Sequence, residues 1–62
     1  MNEKFSEYVA KGFDFYISLR EGMWVEVGYN YTDGEGWERV VRIFSGDNLD
    51  HAFAACDLFL EA

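Results

Sequence analysis

The chain has 62 residues, with twelve acidic and five basic side chains and a formal net charge of −7. Half of the residues are hydrophobic and 19% are aromatic, which excludes a disordered acidic tail and predicts one small folded domain over residues 1–62. A surface of this sign repels phosphate, so the composition excludes direct binding of nucleic acid or of an anionic membrane and favours a basic protein partner.

The first predicted elements are a short helix and two strands. An apolar face and an i,i+4 charge pair predict a helix over residues 2–11, and Gly12 is the expected stop. From residue 13 the period changes to two, which predicts a half-buried strand over residues 13–19. A tight turn at Glu21 and Gly22 then leads to a second alternating strand over residues 23–31.

The third predicted strand covers residues 37–45 and follows a turn-rich segment, residues 32–36. Its alternation is irregular, because an inward set of Trp37, Val41 and Ile43 leaves two apolar residues, Val40 and Phe44, pointing outward. Either a β-bulge reconciles the pattern or the outer face of the sheet is partly apolar.

The last predicted element is a helix from Asn48 to Leu60, with Asp47 as its N-cap. Asp50, three residues later, takes the position of the Glu in a capping box. The order is therefore α-β-β-β-α with short connections. This order predicts an α+β domain in which both helices pack on one face of a three-stranded antiparallel sheet.

Four carboxylates gather on the last helix: Asp47, Asp50, Asp57 and Glu61. At about 100° per residue, the last three fall within roughly 40° of one another, and no lysine or arginine interrupts them. The helix dipole favours acids at the N-terminus but disfavours Asp57 and Glu61 near the C-terminus. The row is either an ordinary solvated face or an imitation of a line of phosphates, with intervals of roughly 10 and 6 Å along the axis.

A second acidic group surrounds the predicted hairpin tip, at Asp33, Glu35 and Glu38, and we expect Glu21 and Glu26 nearby. Turn chemistry and solubility are the alternative explanation for the carboxylates of this tip.

Two aromatic residues, Tyr16 and Trp24, fall on the strand faces that point away from the helices. Aromatic side chains on an uncovered sheet face are typical of a protein-binding or dimer surface. The alternative is that large side chains simply cover a thin sheet in a small domain.

No catalytic or cofactor signature is found in the sequence. His51 is the only histidine and lies in the first turn of a predicted helix. This position indicates a residue beside the helix cap rather than a metal ligand. Cys56 is the only cysteine and lies on the apolar helix face, where a thiol is a small core residue. We therefore expect no enzyme, no cofactor and no metal. The first twelve residues contain no apolar core of a signal peptide, and cytoplasmic localisation is expected.

The chain resembles the small acidic proteins with which phages disable bacterial defence, namely anti-CRISPR proteins and anti-restriction DNA mimics. The resemblance lies in size, sign of charge and compact mixed fold, with the C-terminal stretch GDNLDHAFAACDLFLEA carrying the acidic row. It implies a stoichiometric inhibitor that occupies the nucleic-acid groove of a CRISPR effector or nuclease. Lys4, Lys11 and Arg20 leave the N-terminal part more balanced, so any mimicry should centre on the last helix and the hairpin tip. The alternative function is a small interaction module or homodimer subunit that uses the aromatic sheet face.

Overall fold

A computed structural model describes residues 3–62. Its elements in chain order are α1 (Glu3–Ala10), β1 (Phe13–Ser18), β2 (Trp24–Thr32), β3 (Glu38–Gly46) and α2 (Leu49–Glu61). The predicted α+β class and the order α-β-β-β-α are confirmed, and each described bound lies within one residue of the predicted one. The predicted helical residue 2 lies outside the described part of the chain.

The three strands form one antiparallel sheet in the order β1-β2-β3. The register between β2 and β3 shifts after Val27, because Val27 pairs with Phe44 while Gly28 pairs with Arg42. Ile43 is therefore an extra residue on β3, and this bulge lets both Ile43 and Phe44 pack against the core. Val40 stays on the opposite face and is 66% exposed, so the bulge and the partly apolar outer face are both present.

The core lies between one face of the sheet and the two helices. Its fully packed centre consists of Tyr8, Phe13, Val25, Val27, Ala52, Phe53 and Cys56. The ring of Phe53 on α2 stacks on Tyr8 of α1 at 5.2 Å and meets Phe15 of β1 at 5.6 Å. Because α1 packs on β1 while α2 packs on β2 and β3, the other face of the sheet is left without a covering layer among residues 3–62.

Gly12 ends α1, as the sequence predicts. Its φ of +105° is a conformation that favours glycine, and its N–H donates to the carbonyl of Val9 at 3.0 Å. The chain can then turn directly into β1.

Two local predictions are wrong. The N-cap of α2 is Asn48, whose side-chain oxygen accepts the N–H of His51 at 3.1 Å, and Asp47 precedes the cap. Trp37 is not an inward residue of β3, because it lies in the turn before the strand and is 64% exposed. Across the described residues, no helix has the length and apolar character needed to cross a membrane.

Candidate protein-binding surfaces

The acidic row of α2 is exposed to solvent. The side chains of Asp50, Asp57 and Glu61 all lie on the surface, and Asp47 is exposed just before the cap. A rise of 1.5 Å per residue places the three helical carboxylates at successive intervals of about 10 and 6 Å. One continuous helix thus carries the predicted line of carboxylates, and we call Asp50, Asp57 and Glu61 the acidic row.

Asp57 is held in place by α1. The hydroxyl of Tyr8 donates a hydrogen bond of 2.6 Å to Asp57 Oδ1. This bond, together with burial and the nearby negative charge, raises the pKa of Tyr8 to about 12. A neutral phenol orients the Asp57 carboxylate without cancelling its charge.

The ion pairs of the described chain use other acids. Lys11 pairs with Glu7, Arg39 with Asp33 and Arg42 with Glu26. Within residues 3–62, no carboxylate of α2 takes part in these ion pairs. One cation does border the helix, because the ammonium of Lys4 lies 5.5 Å from the centre of the Phe53 ring. Three of the five basic side chains are thus occupied by acids outside the row.

The hairpin turn uses Asp33 for its own structure. One oxygen of Asp33 accepts the N–H groups of Glu35 and Trp37, and the other accepts the Arg39 guanidinium at 2.9 Å. The bond to Arg39, followed by the backbone donors, lowers the pKa of Asp33. Turn chemistry therefore accounts for Asp33, while Glu35 and Glu38 are exposed.

The expectation that Glu21 and Glu26 join this tip is wrong. Ser18 pairs with Trp24 at one end of β2, and Thr32 pairs with Glu38 at the other. Glu21 lies in the β1–β2 connection and Glu26 near that same end, so the length of β2 separates them from the tip.

The uncovered sheet face is the second candidate surface. Tyr16 and Trp24 lie on it and are 63% and 44% exposed, as the alternation predicts. Trp24 Nε1 donates to Glu26 at 2.8 Å, and Glu26 accepts Arg42 at 3.0 Å. A shallow depression of about 390 Å³ crosses the face, with Gly28 among its lining residues. We call these residues the open sheet face: Tyr16, Trp24, Glu26, Gly28, Val40 and Arg42.

The two residues considered for chemistry have structural surroundings. Cys56 is buried in the core, and burial, followed by the charge of Asp57, raises the pKa of its thiol to about 11. His51 is exposed in the first turn of α2, where its backbone N–H serves the cap.

The sequence did not reveal the pairing of Tyr8 with Asp57. The two residues are 49 positions apart, and no local pattern reports such a contact. The sequence predicts only part of the network of Trp24, Glu26 and Arg42. Strand alternation places Trp24 and Glu26 on one face, but the contact with Arg42 depends on the register between neighbouring strands.

Comparisons of this chain with protein-family models, with characterised proteins and with solved structures found no match.

Proposed function

We propose that the protein is a non-enzymatic, stoichiometric inhibitor that binds a basic groove normally occupied by nucleic acid. The observation that carries the proposal is the exposed carboxylate row of α2, which takes part in none of the ion pairs of the described chain while Lys11, Arg39 and Arg42 pair elsewhere. A surface of such carboxylates is attracted to clustered lysine and arginine, and this attraction speeds encounter and selects the partner.

The helix gives the row the stiffness that such mimicry needs. Asp50, Asp57 and Glu61 are fixed to one scaffold, and Tyr8 holds the Asp57 carboxylate in one orientation. A preorganised row loses little conformational entropy on binding, in contrast to acids on a flexible tail. Its intervals are roughly two to three times the spacing of about 3.4 Å between phosphates of one strand, so the carboxylates would occupy every second or third phosphate position.

The proposed targets are CRISPR effectors or other nucleases, the class opposed by the phage inhibitors that this chain resembles in size, charge and mixed fold. Such targets would place its action in the bacterial cytoplasm. The hairpin tip adds the exposed Glu35 and Glu38, whereas Asp33 contributes to the turn and adds less free charge.

The test is affinity capture from bacterial lysate, followed by elution with a DNA duplex or with salt. We expect the captured proteins to be nucleic-acid binders, and we expect both eluents to release them. The variant Asp50→Asn/Asp57→Asn/Glu61→Gln removes three charges, and the amide introduced at position 57 can still accept the Tyr8 hydroxyl. It should lose the capture.

The matched control removes three charges elsewhere. Glu3, Asp14 and Glu21 are exposed and lie outside both the row and the hairpin tip, so Glu3→Gln/Asp14→Asn/Glu21→Gln makes the same change in net charge. Loss of capture by the row variant alone supports the proposal. Equal capture by both variants and the unmodified protein contradicts it.

A second candidate function is a protein-interaction module that uses the open sheet face. It is favoured by the exposure of Tyr16, Trp24 and Val40 on one sheet face, where Tyr16 and Val40 line the depression and no layer covers the face in the described part of the chain. Binding through this face should tolerate salt and should weaken in Trp24→Ala, whereas the row variant should bind normally. The groove-binding inhibitor should lose its partner in the row variant, and the interaction module should lose its partner in Trp24→Ala. The two variants therefore distinguish the two candidate functions.

A further inference from the structure

We infer that the free edge of β3 pairs with β3 of a second copy, joining two sheets into one antiparallel sheet of six strands. Among the described residues, β3 pairs only with β2, which leaves its other edge open. The segment from Glu38 to Arg42 is regular, and the bulge at Ile43 follows it. Unpaired strand edges are templates for pairing with another chain.

The hydrogen-bond alternation of the hairpin shows which backbone groups face the free edge. The N–H of Asn30 donates to the carbonyl of Gly12 at 2.9 Å, away from β3, so Asn30 and its β3 partner Val40 form a non-hydrogen-bonded pair. In an antiparallel ladder such pairs recur every second residue. The backbone groups of Arg39 and Val41 therefore point to β2, and those of Glu38, Val40 and Arg42 point outward.

One register satisfies both the backbone and the side chains. With a two-fold axis at Val40, each Glu38 lies opposite Arg42 of the other copy, and all three outward-facing residues donate and accept backbone hydrogen bonds. Opposite charges directly across antiparallel strands are stabilising. A register shifted by two residues places Glu38 opposite Val40 instead of Arg42. A register shifted by one residue places outward-facing backbone groups opposite inward-facing ones.

The side chains at this edge are free to make these contacts. Val40 is 66% exposed at the proposed axis, on the same sheet face as Glu38 and Arg42. Arg42 already contacts Glu26 through one terminal nitrogen, and its guanidinium has further donors for a second carboxylate.

The acidic rows of two copies stay apart in this arrangement. The two-fold axis is perpendicular to the sheet, so both α2 helices lie on one side of it. The bond from Tyr8 places Asp57 on the flank of α2 that faces α1, away from the β3 edge. The opposite flank, about 160° around the helix, carries the uncharged Ala55. Dimerisation by the β3 edge therefore keeps both acidic rows exposed, while Glu38 of the hairpin tip is taken up by Arg42 of the other copy.

Sedimentation equilibrium at physiological salt, where surface charge is screened beyond about 8 Å, tests the pairing. We expect the unmodified protein to dimerise, and we expect Glu38→Arg and Arg42→Glu each to raise the dimer dissociation constant by roughly tenfold or more. An equimolar mixture of the two variants should form a heterodimer, because each then offers the opposite charge at both positions. This rescue excludes misfolding as the cause of the losses.

A cysteine cross-link tests the position of the axis. Val40→Cys should form a disulfide-linked dimer under mild oxidation, since two copies of residue 40 would meet there. Tyr16→Cys, at a similarly exposed position on the same face, should stay monomeric under the same conditions. A protein that remains monomeric at millimolar concentration, a dimer indifferent to both charge variants, or preferential linking through position 16 would each overturn the inference.

Discussion

Tyr8 and Asp57 show how one hydrogen bond connects the core to the charged surface. The ring of Tyr8 stacks on Phe53 in the core, while its hydroxyl reaches the exposed Asp57 at 2.6 Å. The same residue thus stabilises the packing of α1 against α2 and fixes one carboxylate of the acidic row. The hydrogen bond requires the protonated phenol, and for that reason the pKa of Tyr8 rises to about 12.

This pKa shift predicts an alkaline limit to stability. Unfolding returns Tyr8 to the ordinary pKa of 10.0, so its contribution is complete below pH 10 and disappears as the pH rises toward 12. In an ultraviolet titration of the folded protein, we expect one of the four tyrosines to ionise last. Tyr8→Phe should abolish this late step and lower the melting temperature by several degrees. Tyr16→Phe is the control, and loss of the late step there would refute the assignment.

Asp33 has the opposite shift, because its partners favour the charged form. Its pKa lies below the ordinary value of 3.8, so its contribution to stability is present above pH 3.8 and is lost as the pH falls through the lowered value. In an NMR titration, the amide signals of Glu35 and Trp37 should follow this transition. Asp33→Asn should remove the transition while the turn persists, since an amide oxygen still accepts both N–H groups. A transition at or above 3.8 would contradict the proposed network.

At the scale of elements, the start of α2 depends on Asn48. Its side chain satisfies the N–H of His51, one of the donors that a helix leaves unpaired at its beginning. We expect Asn48→Ala to lower the free energy of unfolding by about 1 kcal/mol. Asp47→Ala should have a smaller effect, because Asp47 lies outside the cap. Chemical denaturation monitored by circular dichroism compares the two variants, and a larger loss in Asp47→Ala would restore Asp47 as the cap.

The elements themselves were predictable, because each has a strong period or a turn residue at its end. Gly12 and the alternation after Phe13 fix the first boundary, and each described bound was correct to within one residue. The cap was misassigned because Asp47 and Asn48 are adjacent and are both good capping residues. The choice between them depends on backbone angles, and Asn48 has the extended conformation of a cap.

At the scale of the whole molecule, the candidate site was predictable only where it lies within one element. The row on α2 follows from helical geometry, and the positions of Tyr16 and Trp24 follow from strand alternation. The bond from Tyr8 to Asp57 depends on how two distant helices pack, which periodicity does not encode. The turn role of Asp33 follows from its residue type, whereas its ion pair with Arg39 depends on the path of the chain between the two residues.

The net charge of −7 on so small a domain predicts how its thermal stability depends on salt. Three ion pairs lie at the surface of the described chain, and such pairs contribute little to stability, so unpaired carboxylates should dominate the electrostatic free energy. Screening of their repulsion should raise the melting temperature as sodium chloride increases from about 0.01 to 0.15 M. The row variant Asp50→Asn/Asp57→Asn/Glu61→Gln should show a weaker salt dependence than Glu3→Gln/Asp14→Asn/Glu21→Gln, because the three charges that it removes are concentrated along one helix. A melting temperature that falls with salt would show that ion pairs outweigh this repulsion, and equal slopes for the two variants would remove the special status of the row.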